Sequence, residues 1–385
     1  MQRIKLLLVI TKLELGGAQK QLLSLISELD KGAFEIFLFT AQEGLLLPEA
    51  ESLKGIRVKK SRYLERAINP FKDIAAFFEI RRFIKENNID IVHTHSSKAG
   101  IVGRLAARAA GIENIVHTVH GWSFNDYQPP ALKNIFVLLE RITAGFTRRI
   151  IVVCHSDKRR GLTRHIGEEG KYSLIPYAIR HDDFKGRNEK AREALGLAAG
   201  DLAVGMVACL KPQKSPQDFM KLACLSRGKA AGIKFVLVGD GALRDDVKRL
   251  IASSNLENNV ILTGWRRDIA RLLSALDVFV LTSRWEGLPV AVLEAMAASL
   301  PLLISDTGGI REIVRNGQEG FLFASGDVKE AHAKLGLLLE DESLRRRMGE
   351  AASRRVREGF YLAPMVNRHA TLYSELLRQQ TGYVH

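Results

Sequence analysis

The sequence is poor in cysteine and lacks long apolar runs, and both absences limit what the protein can be. Its 385 residues include three cysteines, Cys154, Cys209 and Cys224, with no Cys-x-x-Cys pair. That pattern excludes a disulfide framework and a cysteine-rich zinc site. No apolar run approaches the roughly 18 to 20 residues that a membrane-spanning helix needs. With 46% hydrophobic and 26% charged residues, the chain has the composition of an ordinary globular protein.

Several phosphate-binding and metal-binding signatures are also missing. The chain has no Gly-x-Gly-x-x-Gly fingerprint and no Walker loop, which argues against a dinucleotide-binding or P-loop enzyme. It has no Asp-x-Asp pair that could hold a divalent cation on a diphosphate. His93 and His95 share one face of a predicted strand and permit a metal, but no cysteine partner or His-Glu-x-x-His frame accompanies them. We therefore expect neither a metal nor another cofactor.

The charge is strongly positive and lies mostly in the first half. The net charge is +14, and residues 1–180 carry 28 Lys and Arg against 18 Asp and Glu. No zinc-finger, homeodomain or RNP signature is present, so we do not expect nucleic acid as a partner. A basic surface beside exposed aromatic residues suits an anionic membrane face. The alternative is that these are solvated helix faces with their aromatics in the core. The residues concerned are Arg148, Arg149, Lys158, Arg159, Arg160 and Arg164, near Trp122, Phe124, Tyr127 and the apolar segment 135–139.

Short β-rich runs alternate with helical patterns along almost the whole chain, which predicts an α/β fold of two doubly wound domains. We expect an N-terminal domain over 1–178, a C-terminal domain over 179–355, and a helical tail over 356–385 that packs back on the first. The apolar start of the chain has no small-residue cleavage site, so we interpret it as a buried strand and expect a cytoplasmic protein. Sites at the carboxyl ends of the strands would face each other across a cleft.

Two glutamates, Glu286 and Glu294, are the most informative pair in the chain. They span the point where an apolar run gives way to a helical pattern, so the first falls in a loop and the second inside a helix. Pro289 suits the first helical position, and the Gly287 and Leu288 amides would point outward where an anion binds. Taken alone, two glutamates at this spacing are usually a loop residue and a solvated helix residue, and only the other motifs favour a site.

Four other loops after predicted strands carry residues suited to ligand binding. Gly16 and Gly17 let the backbone approach a ligand that any Cβ would exclude, as does Gly239. His120 follows a strand whose carboxyl end is a place where ligands bind, although a core or capping histidine is as common. Lys214 could neutralise a diphosphate leaving group. Each loop is weak evidence by itself, but such loops recur at the strand ends of both halves.

In combination these motifs resemble the family 4 retaining glycosyltransferases of the GT-B fold, over nearly the whole chain. The run from Glu286 to Glu294 with Gly-Leu-Pro inside is the most specific of them. The remaining matches are the Gly16-Gly17 loop, Asp90-Ile-Val-His-Thr-His95, His117-Thr-Val-His-Gly121, Ile175-Pro-Tyr-Ala-Ile179, Lys214, Phe235-Val-Leu-Val-Gly-Asp-Gly241 and Val260-Ile-Leu-Thr-Gly264.

The resemblance implies two Rossmann-like domains facing each other across a cleft, and it implies roles for single residues. Glu294 would bind the ribose of a nucleotide-sugar, and Glu286 would bind hydroxyls of the donor sugar. Lys214 would hold the diphosphate, and His120 would lie by the reacting sugar. The remaining donor-binding residues are Gly16, Gly17, Gly239, Gly287 and Leu288, with His120, Glu286 and Lys214 as the catalytic set.

One position departs from the family pattern. Many members carry Gly-Arg-Leu ahead of the lysine, whereas this chain has Ala208-Cys209-Leu210 and so lacks the phosphate-binding arginine. Lys211 or a neighbouring loop could substitute for the arginine. Without the arginine, Lys214 would neutralise a larger share of the negative charge on the diphosphate.

The sequence thus predicts a retaining, metal-independent glycosyltransferase of envelope polysaccharide synthesis. Its expected donor is a nucleotide-diphosphate sugar, with a UDP-sugar favoured, and its expected acceptor is a glycan or a lipid-linked sugar. We expect it in the cytoplasm, where it would contact the inner face of the cell membrane. A nucleotide-sugar epimerase or a sugar-phosphate synthase of the same fold is an alternative. So is a sugar-nucleotide-binding protein that has lost turnover.

Overall fold

Both halves of the chain form a parallel sheet covered by helices, as the alternation of strands and helices predicts. The computed structural model describes residues 3–184, 186–227 and 232–380. The chain separates into two units, Met1–Tyr177 with Leu362–His385, and Ala178–Tyr361. We call them unit 1 and unit 2. Residues 381–385 of the predicted tail lie outside the described residues.

In the described part of unit 1, seven parallel strands pair in the order β3-β2-β1-β4-β5-β6-β7. Strand β1 is apolar from Leu6 onward because helices cover both faces of the sheet, and Leu6, Leu7 and Leu8 have no exposed surface. The strands are β1 (Ile4–Val9), β2 (Phe34–Ala41), β3 (Ile56–Ser61), β4 (Ile91–His95), β5 (Ile115–Val119), β6 (Arg149–Val152) and β7 (Tyr172–Leu174).

The helices of unit 1 are α1 (Gly17–Glu28), α2 (Leu47–Ser52), α3 (Pro70–Asn87), α4 (Ser97–Ala110), α5 (Pro130–Gly145) and α6 (His155–Thr163). Their ends follow local chemistry. Asn69 caps α3 by accepting a hydrogen bond from the Lys72 amide, and Gly111 ends α4 in the left-handed conformation.

In unit 2 the described residues form six parallel strands in the order β10-β9-β8-β11-β12-β13. The strands are β8 (Leu202–Val207), β9 (Ile233–Val238), β10 (Val260–Gly264), β11 (Val278–Leu281), β12 (Leu302–Ser305) and β13 (Gly320–Phe323). The helices are α7 (Glu189–Ala194), α8 (Pro216–Ser226), α9 (Arg244–Ser253), α10 (Ile269–Leu273), α11 (Val290–Ala297), α12 (Ile310–Ile313), α13 (Val328–Glu340) and α14 (Glu342–Gly359).

The last helix, α15 (Leu362–Gln380), belongs to unit 1 although it follows unit 2 in the chain. It packs on α1. Its fully buried Tyr373 hydroxyl lies 2.7 Å from Nδ1 of His93 on β4. A buried phenol and a buried imidazole satisfy each other there, which fixes the helix on the sheet.

Both sheets reverse strand order at one place, between β1 and β4 in unit 1 and between β8 and β11 in unit 2. Loops that leave adjacent parallel strands in opposite directions open a crevice at the carboxyl ends of those strands. The loops that follow these four strands are therefore where each unit can bind a ligand.

Candidate functional site

The loops after β8 and β11 bring two predicted residues of unit 2 together. Lys214 Nζ forms an ion pair with Glu286 Oε1. Ser283 Oγ donates to the same carboxylate oxygen at 2.5 Å. The Glu286 side chain is only 5% exposed, so the lysine and the serine supply the partners that a buried carboxylate needs. We call Lys214, Glu286 and Ser283 the Lys-Glu-Ser cluster.

Hydrogen bonds to backbone carbonyls connect the two loops of this cluster. The Arg284 amide donates to the Gln213 carbonyl at 2.7 Å, and Gln213 Nε2 donates to the Trp285 carbonyl at 2.9 Å. On the other side Gly308 has φ +57, and a Cβ there would lie 1.9 Å from the Glu286 carbonyl oxygen. Glycine at 308 thus lets the next loop approach Glu286 closely, so the site is prearranged on three sides.

Helix α11 begins directly after this loop. Pro289 is its N-cap, so the predicted first helical position is wrong by one residue; the extended ψ of 116° at Pro289 delays the first helical turn to Val290. Within the described residues, neither the Gly287 nor the Leu288 amide donates to another group of the protein. These two N–H groups at the start of a helix are suited to an anion.

Glu294 lies in the second turn of α11 and is buried together with nearly all of that helix. The sequence pattern places it at the margin of an apolar stripe, whereas α11 is apolar on every side. A carboxylate in such surroundings costs free energy unless hydrogen-bond donors reach it. The fold therefore retains an acidic group where packing alone would favour an apolar one.

Gly239, a predicted donor-binding residue, follows β9 and packs against the backbone at the carboxyl end of β8. Its φ is +136, and a Cβ would lie 1.9 Å from the Ala208 carbonyl oxygen. Any larger residue would displace the start of the loop that contains Cys209. Lys211 caps the short 3-10 turn Pro212–Lys214 in the same loop. The contact of Gly239 with a donor stays a prediction.

In unit 1 the predicted His120 lies in a hydrogen-bonded chain at the carboxyl ends of β4 and β5. His120 Nε2 is 2.9 Å from His95 Nδ1, and His120 Nδ1 is 2.5 Å from the Tyr177 hydroxyl. The three rings also stack, with centroids 5.2 Å and 5.7 Å apart. Both ring nitrogens of His120 thus have protein partners, which fix the orientation of the ring.

A small cavity of about 20 Å³ adjoins this chain inside unit 1. It is lined by His95, His120, Tyr177 and by His369 and Met365 of α15. Among the described residues, Nε2 of His95 is buried without a hydrogen-bond partner. A space of this size has room for one water, which would satisfy that nitrogen.

The histidines of this region are held neutral by burial. Burial lowers the pKa of His120 to about 3 and that of His369 to about 4. Burial also lowers the pKa of His93, His95 and His117 well below its ordinary value. Desolvation disfavours the imidazolium form, so these histidines form a polar but uncharged cluster at neutral pH.

The other strand-end histidines have structural partners. His93 Nδ1 meets Tyr373, and its Nε2 lies 2.7 Å from the Thr118 hydroxyl. His117 Nδ1 lies 2.9 Å from the Thr94 hydroxyl. In the described part of the chain no group of three His, Cys, Asp or Glu residues is arranged to hold a metal. Both ring nitrogens of His93 are therefore engaged by protein groups.

The Gly16-Gly17 loop follows β1 and opens α1. Gly16 is the N-cap of that helix with extended backbone, and Gly17 is its first residue. A Cβ on Gly16 would meet the end of the flexible Gln19 side chain at 2.5 Å. The loop therefore needs glycine less strictly than the Gly239 and Gly308 positions do.

Sequence reasoning missed several residues that organise these sites. Ser283 and Gln213 fix the Glu286 loop, and Tyr177 and His95 fix His120. Tyr177 and His95 stand inside the motifs that carry the family resemblance, which was the available signal. Of the two alternatives that the sequence left open for the aromatics, the core applies to Trp122 and Phe124, which are buried and stack at 5.3 Å, whereas Tyr127 is exposed.

Comparison with known protein families matches both units of the chain to glycosyltransferases. Residues 15–183 match the family model described as Glycosyltransferase Family 4, and residues 187–355 match that of Glycosyl transferases group 1. Anabaena HepE, solved in complex with UDP and glucose, superposes with a TM-score of 0.85 at 20% identity, covering 97% of this chain and 100% of HepE. WaaG, a glycosyltransferase involved in lipopolysaccharide biosynthesis, gives 0.79 at 16% identity, covering 96% and 99%.

Two curated relatives cover most of the sequence. The UDP-Gal:alpha-D-GlcNAc-diphosphoundecaprenol alpha-1,3-galactosyltransferase of Escherichia coli is 32% identical over 369 residues, covering 94% of this chain and 95% of the relative. The N,N'-diacetylbacillosaminyl-diphospho-undecaprenol alpha-1,3-N-acetylgalactosaminyltransferase of Campylobacter jejuni is 28% identical over 316 residues, covering 78% and 81%.

Two parallel α/β units with ligand loops at their switch points define the GT-B class of glycosyltransferase. This chain belongs to the group 1 glycosyl transferases of family 4. The family resemblance and the fold class predicted from the sequence are confirmed.

Proposed function

We propose that this glycosyltransferase moves a sugar from a UDP-sugar to a lipid-linked glycan acceptor in envelope polysaccharide synthesis, with retention of configuration and without a metal. The observation that carries the proposal is the Lys-Glu-Ser cluster at the switch point of unit 2. Beside it lie the amides of Gly287 and Leu288, which donate to no protein group within the described residues. Together these loops present a cation, a carboxylate that can accept hydrogen bonds from hydroxyls, and two N–H groups.

These groups match the charges of a nucleotide-sugar and of its transition state. In transfer, the bond from the anomeric carbon to the diphosphate oxygen breaks and a bond to the acceptor oxygen forms. The nucleoside diphosphate leaves with the bonding electron pair, and the acceptor hydroxyl loses one proton. Lys214 and the two amides can stabilise the charge that develops on the departing oxygen. Glu286 can accept hydrogen bonds from hydroxyls of the donor sugar, and Glu294 from those of the ribose.

A buried ion pair suits this task because it can exchange partners. Before the donor arrives, Glu286 and Lys214 neutralise each other, which offsets part of the cost of burying the two charges. A diphosphate near Lys214 would supply an alternative anion, and sugar hydroxyls would supply alternative donors to Glu286. In unit 1, His120 and the Gly16-Gly17 loop keep their predicted roles at the reacting sugar and the diphosphate.

The acceptor and the stereochemistry are proposed from the relatives. The E. coli and C. jejuni relatives both act on diphosphoundecaprenol-linked sugars and both form alpha linkages, according to their names. UDP-hexoses of this kind carry the phosphate in the alpha configuration, so an alpha product means retention. We propose the same acceptor class and the same outcome here, with UDP as the preferred base.

A lipid-linked acceptor and a water-soluble donor can meet at a membrane surface. Among the described residues, no helix combines the length and the apolar character that crossing a bilayer requires. The three cysteines, all among the described residues, form no disulfide, which agrees with a reducing compartment. We propose a cytoplasmic enzyme that works as a peripheral protein at the anionic inner face of the membrane.

A thermal-shift screen with UDP-, GDP- and ADP-sugars tests the donor. A ligand at one hundred times its dissociation constant stabilises the folded state by about 2.7 kcal/mol, so UDP-sugars should raise the melting temperature and the others should not. Product analysis with and without a lipid-linked acceptor tests the activity. Sugar released as an epimer or a sugar phosphate without acceptor would support the alternatives, and binding without any turnover would support a non-catalytic protein.

A further inference from the structure

Helices α3, α4 and α5 form one layer of unit 1. Each connects parallel strands that advance in the same direction across the sheet, so right-handed crossovers place all three on the same face. Helix α4 packs against α3 on one side and α5 on the other. Their outward sides therefore make one surface, which we call the three-helix face.

Large apolar side chains project from this surface into solvent. On α3, Phe71 is 87% exposed, and Ile74 and Phe78 are 57% exposed. They recur at intervals of three and four residues, the spacing that usually marks the buried side of a helix. A phenylalanine exposed to this degree leaves most of its ring in water, which costs free energy unless something covers it.

Helix α5 repeats the pattern. Ile135, Leu138 and Ile142 are each more than half exposed and again follow helical spacing, with the more weakly exposed Leu132 one turn before them. On α4 between the two stripes, Leu105 is also exposed. The opposite sides of α3 and α5 supply the core, so both helices are apolar on two sides.

The charge around these stripes is positive. The three helices contain nine Lys and Arg against four Asp and Glu. Each of the four acids already has a basic partner, in the pairs Asp73 with Lys98, Glu79 with Lys59, Glu86 with Arg82, and Glu140 with Arg104. The exposed Lys85, Arg108 and Arg141 add cations at the solvent side.

The basic segment 148–164 joins this surface at the end of α5. Arg141 Nε donates to the Arg164 carbonyl at 2.7 Å, which places that segment beside the last turn of α5. Two apolar stripes bordered by cations on the same face match the two regions of an anionic bilayer, the acyl boundary and the phosphate headgroups.

We propose that the three-helix face docks on an anionic membrane, with Phe71, Phe78, Ile135 and Leu138 inserted at the acyl boundary and the surrounding Lys and Arg residues on lipid phosphates. A second copy of the chain would bring the same cations against each other, which opposes self-association through this face. The inference rests on the proposed function for its purpose, since a lipid-linked acceptor requires the enzyme to reach the membrane.

Vesicle flotation with the full-length protein tests the proposal. The wild type should float with vesicles of phosphatidylethanolamine and phosphatidylglycerol, and much less with phosphatidylcholine alone. The double variants Phe71→Ser/Phe78→Ser and Ile135→Ser/Leu138→Ser should each lower partitioning about tenfold or more. The matched control is Leu337→Ser on α13 of unit 2, which removes a 51% exposed leucine elsewhere and should leave partitioning unchanged.

The melting temperature and the rate of sugar transfer are measured separately from membrane binding. All variants act on surface side chains, so they should melt at the wild-type temperature and transfer sugar to a water-soluble acceptor analogue at the wild-type rate. Equal flotation of both double variants and the wild type would overturn the proposal. So would a wild type that does not float and forms dimers that the double variants abolish. Flotation that depends on these residues, without transfer to any acceptor, would uphold the surface and reject the proposed function.

Discussion

Glu286 and Lys214 form an ion pair from positions 72 residues apart, and we expect them to act together. The pair is largely desolvated, since the Glu286 side chain is 5% exposed and the Lys214 side chain 17%. A desolvated cation interacts more strongly with a departing phosphate than a solvated one does. Because Cys209 stands where many family members carry an arginine, we expect a greater dependence on this lysine.

Lys214→Ala should therefore lower kcat/KM by an amount equivalent to about 2 to 4 kcal/mol of barrier, as expected for the loss of one contact to the leaving group. Steady-state kinetics with the best UDP-sugar measure the change. Arg249→Ala is the control, because that residue forms a surface pair with Asp246 on α9 and should retain wild-type kinetics. Unchanged turnover in Lys214→Ala would remove the lysine from the mechanism.

The two glutamates should give different kinetic signatures when each is replaced by glutamine. Glu286→Gln keeps a partner for Ser283 but loses the ion pair and alters contact with the reacting sugar, so kcat should fall most. Glu294→Gln should chiefly raise the apparent KM for the donor, because the ribose is bound equally in the ground state and the transition state. Initial rates at varied donor concentration separate the two. Identical signatures would contradict the separate roles.

The sequence singled out Glu286 and Lys214 but not their contact. Contact depends on β8 and β11 being neighbours, which is a property of strand order and is not encoded near either residue. His120 is similar: its position at a strand end was predictable, whereas its partners are His95 on β4 and Tyr177 in the loop after β7. For Trp122 and Phe124 the sequence could not decide between surface and core because basic residues lie nearby, and in the structure the two rings stack on each other in the core.

At the scale of elements, strand β3 shows where pattern reading fails. Its sequence alternates Ile56 and Val58 with charged Arg57 and Lys59, and it was not predicted as a strand. It lies at the edge of the sheet, where charged residues are favoured because they oppose pairing with other chains. Strand β11, in contrast, was predicted because all four of its residues are apolar.

Helices α4 and α5 are joined by a buried ion pair that offers a stability test. Arg104 Nη2 lies 2.6 Å from Glu140 Oε2, and both side chains are at most 3% exposed. Glu140→Leu would leave a buried guanidinium without its partner and should destabilise the protein by about 3 to 5 kcal/mol. The double variant Arg104→Met/Glu140→Leu should recover most of that loss. Urea unfolding measures both, and equal stabilities of the single and double variants would contradict the account.

The buried histidines of β4, β5 and α15 make stability depend on pH. They stay neutral in the folded state, with a pKa of about 3 for His120 and about 4 for His369, whereas in the unfolded chain the histidine pKa is near 6.5. Below that value the unfolded chain binds more protons, so the free energy of unfolding falls as the pH drops from about 6.5 towards about 4. Each such histidine contributes a slope of about 1.4 kcal/mol per pH unit.

Urea unfolding of unit 1 at a series of pH values measures this slope. His369→Gln should reduce it, because one of the groups that titrates on unfolding is removed while the rest remain. A free energy of unfolding that is flat between pH 7 and pH 5 would show that the histidines are not held neutral by burial.

At the scale of the whole molecule, protein cations and N–H groups are expected to balance the diphosphate charge in place of a metal. Transfer should persist after treatment with EDTA, because Lys214 and the Gly287 and Leu288 amides can balance the diphosphate charge. Rates measured before chelation, after chelation and after added magnesium test this. A strict requirement for magnesium would contradict metal independence.

The most direct test of the central claim is the product formed from a UDP-sugar and a diphosphoprenol-linked acceptor sugar by the purified full-length enzyme. Proton NMR of the isolated product gives the anomeric configuration of the new bond. The account predicts an alpha-linked glycoside, formed with release of UDP and lost in Lys214→Ala. A beta-linked product would contradict retention, and the absence of any transfer to lipid-linked acceptors despite UDP-sugar binding would contradict the proposed activity itself.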